Sequence, residues 1–296
     1  MHEYKFITNL GKGTHGSVFL FEKEDGELIS CKSIDKKFIR RAKSEINLLK
    51  SLNHVNIIKY INHQSSTDIS YIFMEYANYG SLECLINFFK KRNLKIKNWL
   101  AWSCFTQLIN GISYLHSKNI AHRDIKPSNI LLNKRIIKNQ EIIEFKICDF
   151  SLSTQITSLK NKTSIIGTPY YMAPEVIKRK GYDEKIDVWG LGVCLYELIT
   201  LEKPFKGSHT LNLNDEILTK LITKVPKCND KILECKILTC LKKEERPSIF
   251  DLRISKSISK KICLFNEFIS SDNLIQNQES IFSEELNFKE KQKIIK

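Results

Sequence analysis

The sequence predicts an α+β chain in two lobes, a small antiparallel β-rich N-terminal region and a larger helical C-terminal one. Three observations lead there. From Tyr4 to Ile34, short apolar runs are broken by Gly11, Gly13, Gly16 and the turn Glu24-Asp25-Gly26-Glu27, which is hairpin punctuation. From Asn98 to Ser117, Leu100, Cys104, Leu108, Ile112 and Leu115 recur at helical spacing. The character changes near Ala77 to Gly80, which sets the N-lobe at about 4–77 and the C-lobe at about 78–258.

The elements follow in order. GKGTHGSV, residues 11–18, lies between two strand-like runs. A dinucleotide-binding loop would open a helix, whereas Phe19-Leu20-Phe21 continues as strand, so the loop reads as a flap over phosphates. ISCK places Lys32 at the end of the next strand. Ser44 to Leu52 puts Ile46, Leu49 and Leu52 on one helical face, and Glu45 there offers Lys32 an ion-pair partner. Ile69 to Tyr76 reads as a buried strand. His122-Arg123-Asp124-Ile125-Lys126-Pro127-Ser128-Asn129 packs a base, two cations and an amide oxygen into a loop between a helix and the strand pattern Ile130-Leu131-Leu132. At KICDF, residues 146–150, and the Phe145 before it, Phe145, Ile147 and Cys148 are strand-like, so the Asp149 carboxylate follows a buried run and needs a cationic partner or water. Beyond about Ile258 the chain turns polar, and 259–296 is expected to be a loosely docked or disordered tail, with FNEF at 265–268 able to dock back on the N-lobe.

Bulk composition narrows the function. The 296 residues are 42% hydrophobic and 27% charged, enough for a substantial core. The formal charge of +14 comes from Lys scattered throughout rather than from a dense block, so nucleic-acid binding is not expected. Nine cysteines without a secretory leader read as reduced thiols, and Cys228, Cys235 and Cys240 as fillers of helix faces. GLGVCLYELIT, the longest apolar candidate, is too short for a membrane span. These features lead to the expectation of an intracellular, cytoplasmic or nuclear chain without membrane association, and nothing calls for an oligomer, so a monomer is expected.

The ordered set GKGTHGSV, ISCK, Glu45, HRDIKPSN, CDF, MAPE, DVWG and ERPS resembles the eukaryotic protein kinase domain over roughly Tyr4 to Ile258. The resemblance implies the bilobal protein kinase fold, with ATP in the cleft and Mg2+ beside its phosphates. It implies that Leu10, Gly11, Gly13, Gly16, Val18, Ser30, Lys32, Glu45, Glu75, Ala77 and Leu131 serve the nucleotide, Val18, Ser30 and Leu131 sandwiching adenine, Met74 behind it, and Glu75 and Ala77 offering backbone groups. Asp149 and Asn129 would hold metal. Asp124, Lys126 and Asn129 would be catalytic, Asp124 accepting the substrate hydroxyl's proton and Lys126 neutralising the transferring phosphoryl group. Glu175 of MAPE would pair with Arg246.

Lys126 and GTPYYMAPE resemble the serine/threonine class, and MEYANYGSL with TSIIGTPYYMAPEVIKRKGYDEKIDVWGLG most resembles the STE group. Protein substrates are implied, with an upstream kinase acting on Ser164 or Thr163 to give a phosphate that Arg123 receives. The family expects glycine where this chain has Ser151, which would cost about 1 to 2 kcal/mol if the position is left-handed. Thirteen positions from Lys32 to Glu45 and twenty from Asn129 to Asp149 also depart from the pattern, the second through an expected surface hairpin around KRIIKNQEII. These departures motivate the alternative of a pseudokinase scaffold that binds nucleotide or partners with little transfer. A small-molecule kinase is disfavoured by GTPYYMAPE.

Overall fold

The computed structural model describes residues 4–270 apart from 14–15, 67, 138–139, 160–162, 180 and 208. The glycine-punctuated N-terminus forms β1 (Tyr4–Gly13), β2 (Gly16–Lys23) and β3 (Leu28–Asp35), followed by α1 (Ile39–Lys50), β4 (Tyr60–Ser65) and β5 (Ile69–Glu75). The five strands make one antiparallel sheet in the order β1-β2-β3-β5-β4. Alternation along β3 and β5 sorts their side chains into two faces. Ile29, Cys31 and Phe73 pack on the outer face with Tyr4 and Phe21. Ile34, Ile72 and Met74 join the main core on the inner face, the face that Ser30 and Lys32 share.

The helix after β3 begins earlier than its apolar spacing alone suggests. A 3-10 turn at Lys36–Phe38 runs straight into Ile39, which is how the short Lys32-to-Glu45 spacing is accommodated. Ala42, Glu45, Ile46 and Leu49 are buried at helical spacing, so Glu45 is carried inward on the apolar face.

The C-lobe comprises α2 (Leu82–Lys91), α3 (Asn98–Ser117), β6 (Ile120–Ala121), β7 (Ile130–Ile137), β8 (Gln140–Ile147), β9 (Thr154–Gln155), α4 (Pro174–Ile177), α5 (Lys185–Thr200), α6 (Thr210–Thr219), α7 (Lys231–Cys240), α8 (Ile249–Ile254) and α9 (Lys256–Ser270). Helix α3 matches the expected span and is buried along most of its length. The expected insertion is the hairpin β7–β8, whose register runs from Ile130 opposite Ile147 to Ile137 opposite Gln140. Lys146 on β8 is buried, meets Glu75 at 3.1 Å and donates to the Val55 carbonyl at 2.9 Å, which ties the hairpin to the end of β5.

Two expectations need correction. The chain does not leave the fold at 258: α9 continues to Ser270, burying Ile258 and Ile262, because an amphipathic pattern persists beneath the polar composition. Phe265 and Asn266 lie on α9 in the C-lobe, not on the N-lobe sheet, and Asn266 Oδ1 stands 3.5 Å from Asn110 Nδ2 of α3. The rest of the tail, 271–296, lies outside the described residues. Of the three clustered cysteines, Cys228 and Cys240 are buried and Cys235 is exposed on α7.

A buried amide network joins the loop after α1 to the C-lobe. Asn56, fully buried, donates from Nδ2 to Gln107 Oε1 at 2.9 Å and to the Phe145 carbonyl at 3.0 Å. Its Oδ1 accepts from Asn110 Nδ2 at 3.3 Å. Gln107 Oε1 also accepts from the Phe145 N–H at 2.9 Å. Buried amides are stabilising only when partnered. Asn56→Ala should therefore lower the unfolding free energy by about 2–3 kcal/mol in urea with an unchanged m-value, and a loss below about 0.5 kcal/mol would show that the network carries no stability.

Candidate active site

Lys32 reaches the cleft from β3, and its ammonium lies 2.8 and 2.9 Å from the two Glu45 carboxylate oxygens and 2.8 Å from Asp149 Oδ1. One cation serves two carboxylates. Glu45 is 1% exposed and Asp149 is 33% exposed, so burial weighs more heavily on Glu45. Burial outweighs Lys32 at Glu45 and pushes its pKa up. At Asp149 burial is outweighed by Lys32 and the pKa is held well below the usual carboxylate range. Burial would lower the Lys32 pKa, but Glu45 and Asp149 together raise it. Asp149 is thus held ionised at the cleft while the ammonium is fixed.

Ser151 turns out not to be the strained position. Asp149 has φ +61 and Arg123 φ +68, whereas Ser151 is absent from the left-handed residues, so its Cβ meets no penalty. Its N–H lies 3.4 Å from Asp149 Oδ1 and adds a donor to the carboxylate. Phe150 is buried, edge-on to His122 with ring centroids 5.1 Å apart.

Asp124, 7% exposed, has both oxygens engaged. Oδ2 meets Lys126 Nζ at 2.7 Å and accepts from Asn129 Nδ2 at 3.0 Å. Oδ1 accepts from the Thr168 N–H at 3.0 Å and the Thr168 hydroxyl at 2.9 Å, and Lys126 donates to that hydroxyl at 2.7 Å. Gly167 delivers Thr168 with φ +113, where a Cβ would lie 3.1 Å from the Arg123 carbonyl, so only glycine fits.

The loop carrying Asp124 hangs on Asp187, in the first turn of α5. Its fully buried carboxylate accepts from the His122 and Arg123 N–H groups, each at 2.8 Å, and lies 2.9 Å from His116 Nε2. Burial favours the neutral acid, but these partners outweigh it and lower the pKa. Thr168 and Asp187 were quoted within motifs but given no site role from sequence. Their signal was position inside GTPYYMAPE and DVWG, and only the fold shows which atoms they reach.

The remaining expected residues lie on β1, β2, β3, β5 and β7 and, for Ala77, just after β5. Val18 pairs with Lys32 across β2 and β3, Leu131 is the second residue of β7 and bridges to Ser81, and Met74 is buried on β5. Leu10 and Gly11 are exposed on β1. A Cβ on Gly11 would meet nothing within 4 Å, so packing does not require glycine there. Gly16 differs, because a Cβ would overlap the Ser33 carbonyl of β3. Gly13 closes β1, and Thr14 and His15 lie outside the described residues.

The donor set fits a nucleotide with a hard cation. Ala77 is buried, yet no described residue bonds its N–H or C=O, which leaves a backbone edge for a planar ring. Among the described residues no donor reaches Asp149 Oδ2 or Asn129 Oδ1, because Lys32 and Ser151 take Asp149 Oδ1 and Asn129 uses its amide nitrogen on Asp124. Two oxygen ligands plus phosphate oxygens suit magnesium. No cluster of three His, Cys, Asp or Glu able to hold a metal occurs among the described residues. Away from the cleft, Arg246 Nη1 donates to Glu175 Oε1 at 2.7 Å, the expected pair.

The sequence model of the family described as protein kinase domain matches residues 4–249. The chain is 36% identical over 267 residues to the probable serine/threonine-protein kinase nek3 of Dictyostelium discoideum, covering 85% of this chain and 23% of that protein. It is 34% identical over 224 residues to the serine/threonine-protein kinase nekl-2 of Caenorhabditis elegans, covering 71% and 60%. With the serine/threonine-protein kinase ppk11 of Schizosaccharomyces pombe it shares 34% over 278 residues, covering 88% and 83%. The chain thus spans less than two thirds of the first two proteins.

Substituting Ser151→Gly tests the backbone reading. Without left-handed strain to relieve, the added freedom of the unfolded chain should lower stability by about 0.4–1 kcal/mol in denaturant unfolding. A gain of about 1–2 kcal/mol would instead reveal strain at this position.

Proposed function

The chain belongs to the protein kinase family, and from that premise we propose that it is an active ATP-dependent serine/threonine kinase that phosphorylates protein hydroxyls. The observation that carries the reading is the Lys32 ammonium held at 2.8 Å by both Glu45 and Asp149, a cation fixed where anionic oxygens must lie. The serine/threonine names of the relatives support the class.

The residues divide the work. Lys32 binds phosphate oxygens, and Glu45 fixes its rotamer. Asp149 and Asn129 offer the oxygens that fit magnesium, which together with ATP supplies a transferable phosphoryl group with its charge partly neutralised. Asp124 orients the substrate hydroxyl and takes its proton at the carboxylate, whose position Asn129 and Thr168 fix. Lys126, 2.7 Å from Asp124 Oδ2, compensates charge on the transferring group. The scaffold alternative loses its motives, since Ser151 is unstrained and the pair at Lys32 forms despite the short spacing.

Phosphorylation by an upstream kinase belongs to the same proposal. Arg123 donates from Nε to the Leu152 carbonyl at 2.6 Å, while its Nη1 is buried without a partner among the described residues. Thr163 and Ser164 are exposed in the segment that leads to Thr168. A phosphate on Ser164 would give that guanidinium a charged acceptor. We also assign the chain to a reducing intracellular compartment, as its nine free cysteines suit, and a tagged full-length protein found in the secretory pathway would refute this.

Radiolabelled transfer from MgATP to a generic protein substrate tests the function. Wild type should label Ser and Thr, while Asp124→Ala and Asp149→Ala should each lose at least about 100-fold in rate. Ser164→Ala should lower activity relative to phosphorylated wild type and match it after phosphatase treatment. No transfer by wild type phosphorylated on Ser164, with MgATP bound, would exclude the activity.

A further inference from the structure

No Asp or Glu occurs between Glu83 and Asp124, and five of the eight residues 90–97 are cations. These cations lie at the corner of the C-lobe where α2 ends and α3 begins. Asn93, at φ +52, reverses the chain after α2. Its N–H donates to the Lys90 carbonyl at 3.2 Å and the Leu94 N–H to the Phe89 carbonyl at 3.0 Å, a Schellman turn that fixes the start of the loop. Ile96 is buried and anchors the rest, while Lys95 and Lys97 on either side of it are exposed, as are Lys90, Lys91 and Arg92. Cations are favourable at a helix C-terminus, which accounts for Lys90 and Lys91 in the last turn of α2 but not for Lys95 and Lys97.

Two features set this corner apart. Elsewhere exposed lysines stand beside acids, as Lys206 does with Glu202 and Lys220 with Glu216. Among the described residues, none of Lys90, Lys91, Arg92 or Lys95 has an ion-pair partner, and Arg92 lies over the Phe88 ring, 4.0 Å from its centroid. The cations also surround exposed apolar side chains, Leu94 at 41% and Trp99 at 36%. A second basic run, Lys37, Arg40, Arg41 and Lys43 at the start of α1, has none, since Phe38 and Ile39 are half-buried and Ala42 is buried.

We propose that the α2–α3 corner docks the protein on an anionic phospholipid surface, the cations meeting headgroup charges while Trp99 and Leu94 enter the interface. Lysine and arginine are drawn to anionic leaflets, indole favours the headgroup level, and an aliphatic chain gains from the acyl boundary. Nucleic acid would reward the cations equally but offers little to Leu94. The expectation of no membrane association rested on span length. Surface docking needs no span, and no helix among the described residues is long and apolar enough to cross a membrane.

Trp102 and Trp189 are buried, so Trp99 is the exposed one of the protein's three tryptophans and reports on docking. The full chain is titrated with vesicles of phosphatidylcholine alone or with about one third phosphatidylserine, following tryptophan emission and co-sedimentation, with folding of each variant checked by thermal melting. Wild type should bind the anionic vesicles alone, with a blue shift in emission, and release them as salt rises. Lys91→Ala with Lys95→Ala should weaken partition about 25-fold, and Leu94→Ser about fivefold. Lys37→Ala with Lys43→Ala should change it less than about twofold. No binding to anionic vesicles, binding without a blue shift, an equal loss in the α1 pair, or Leu94→Ser indistinguishable from wild type would overturn the proposal. Binding of single-stranded RNA in place of the vesicles would overturn it in favour of nucleic acid.

Discussion

A single ammonium group joins the three parts of this molecule that must act together. Lys32 projects from the N-lobe sheet, Glu45 from the helix packed against that sheet, and Asp149 from the strand end at the C-lobe. Burying charge is unfavourable unless it is paired, and one cation between two carboxylates leaves a net negative site. Glu45, the more buried acid, has its pKa raised, while Asp149 at the cleft remains ionised. Asp149, the more exposed of the two acids, is the one that an incoming cation can meet. This pair also dictates the orientation of α1, since the face that buries Ala42, Ile46 and Leu49 carries Glu45 to the lysine.

A second buried acid supports the catalytic loop in a different way. Asp187 is buried inside the C-lobe. Its two oxygens bind consecutive backbone N–H groups and a histidine, holding the loop of Asp124 in a conformation with Arg123 left-handed. Such a backbone costs of order 1–3 kcal/mol and persists only where the surroundings enforce it. The protein's own contacts hold the loop, and Asp124 is held by Lys126, Asn129 and Thr168.

Much of this was legible in the sequence, for identifiable reasons. Strand alternation and glycine turns gave the N-lobe sheet, and an apolar repeat gave α3, because both patterns are local. Glu45 as the partner of Lys32 was legible because the helix repeat carries it to the core side. What failed was whatever depends on torsion or distant packing. The consequence of Ser151 could not be read, since the left-handed residue is Asp149 two places earlier. Thr168 as a ligand of Asp124 depends on a contact 44 residues apart in sequence. Polar composition hid α9, in which Ile258 and Ile262 are buried among lysines.

Glu45 serves the site only through Lys32. A double-mutant cycle on MgADP affinity, measured by isothermal titration with Lys32→Met, Glu45→Gln and both together, tests it most directly. The double variant should bind as weakly as Lys32→Met alone, so that losing Glu45 matters only while the lysine is present. Losses that add in the double variant would contradict it, because Glu45 would then contribute by a route that does not pass through the ammonium.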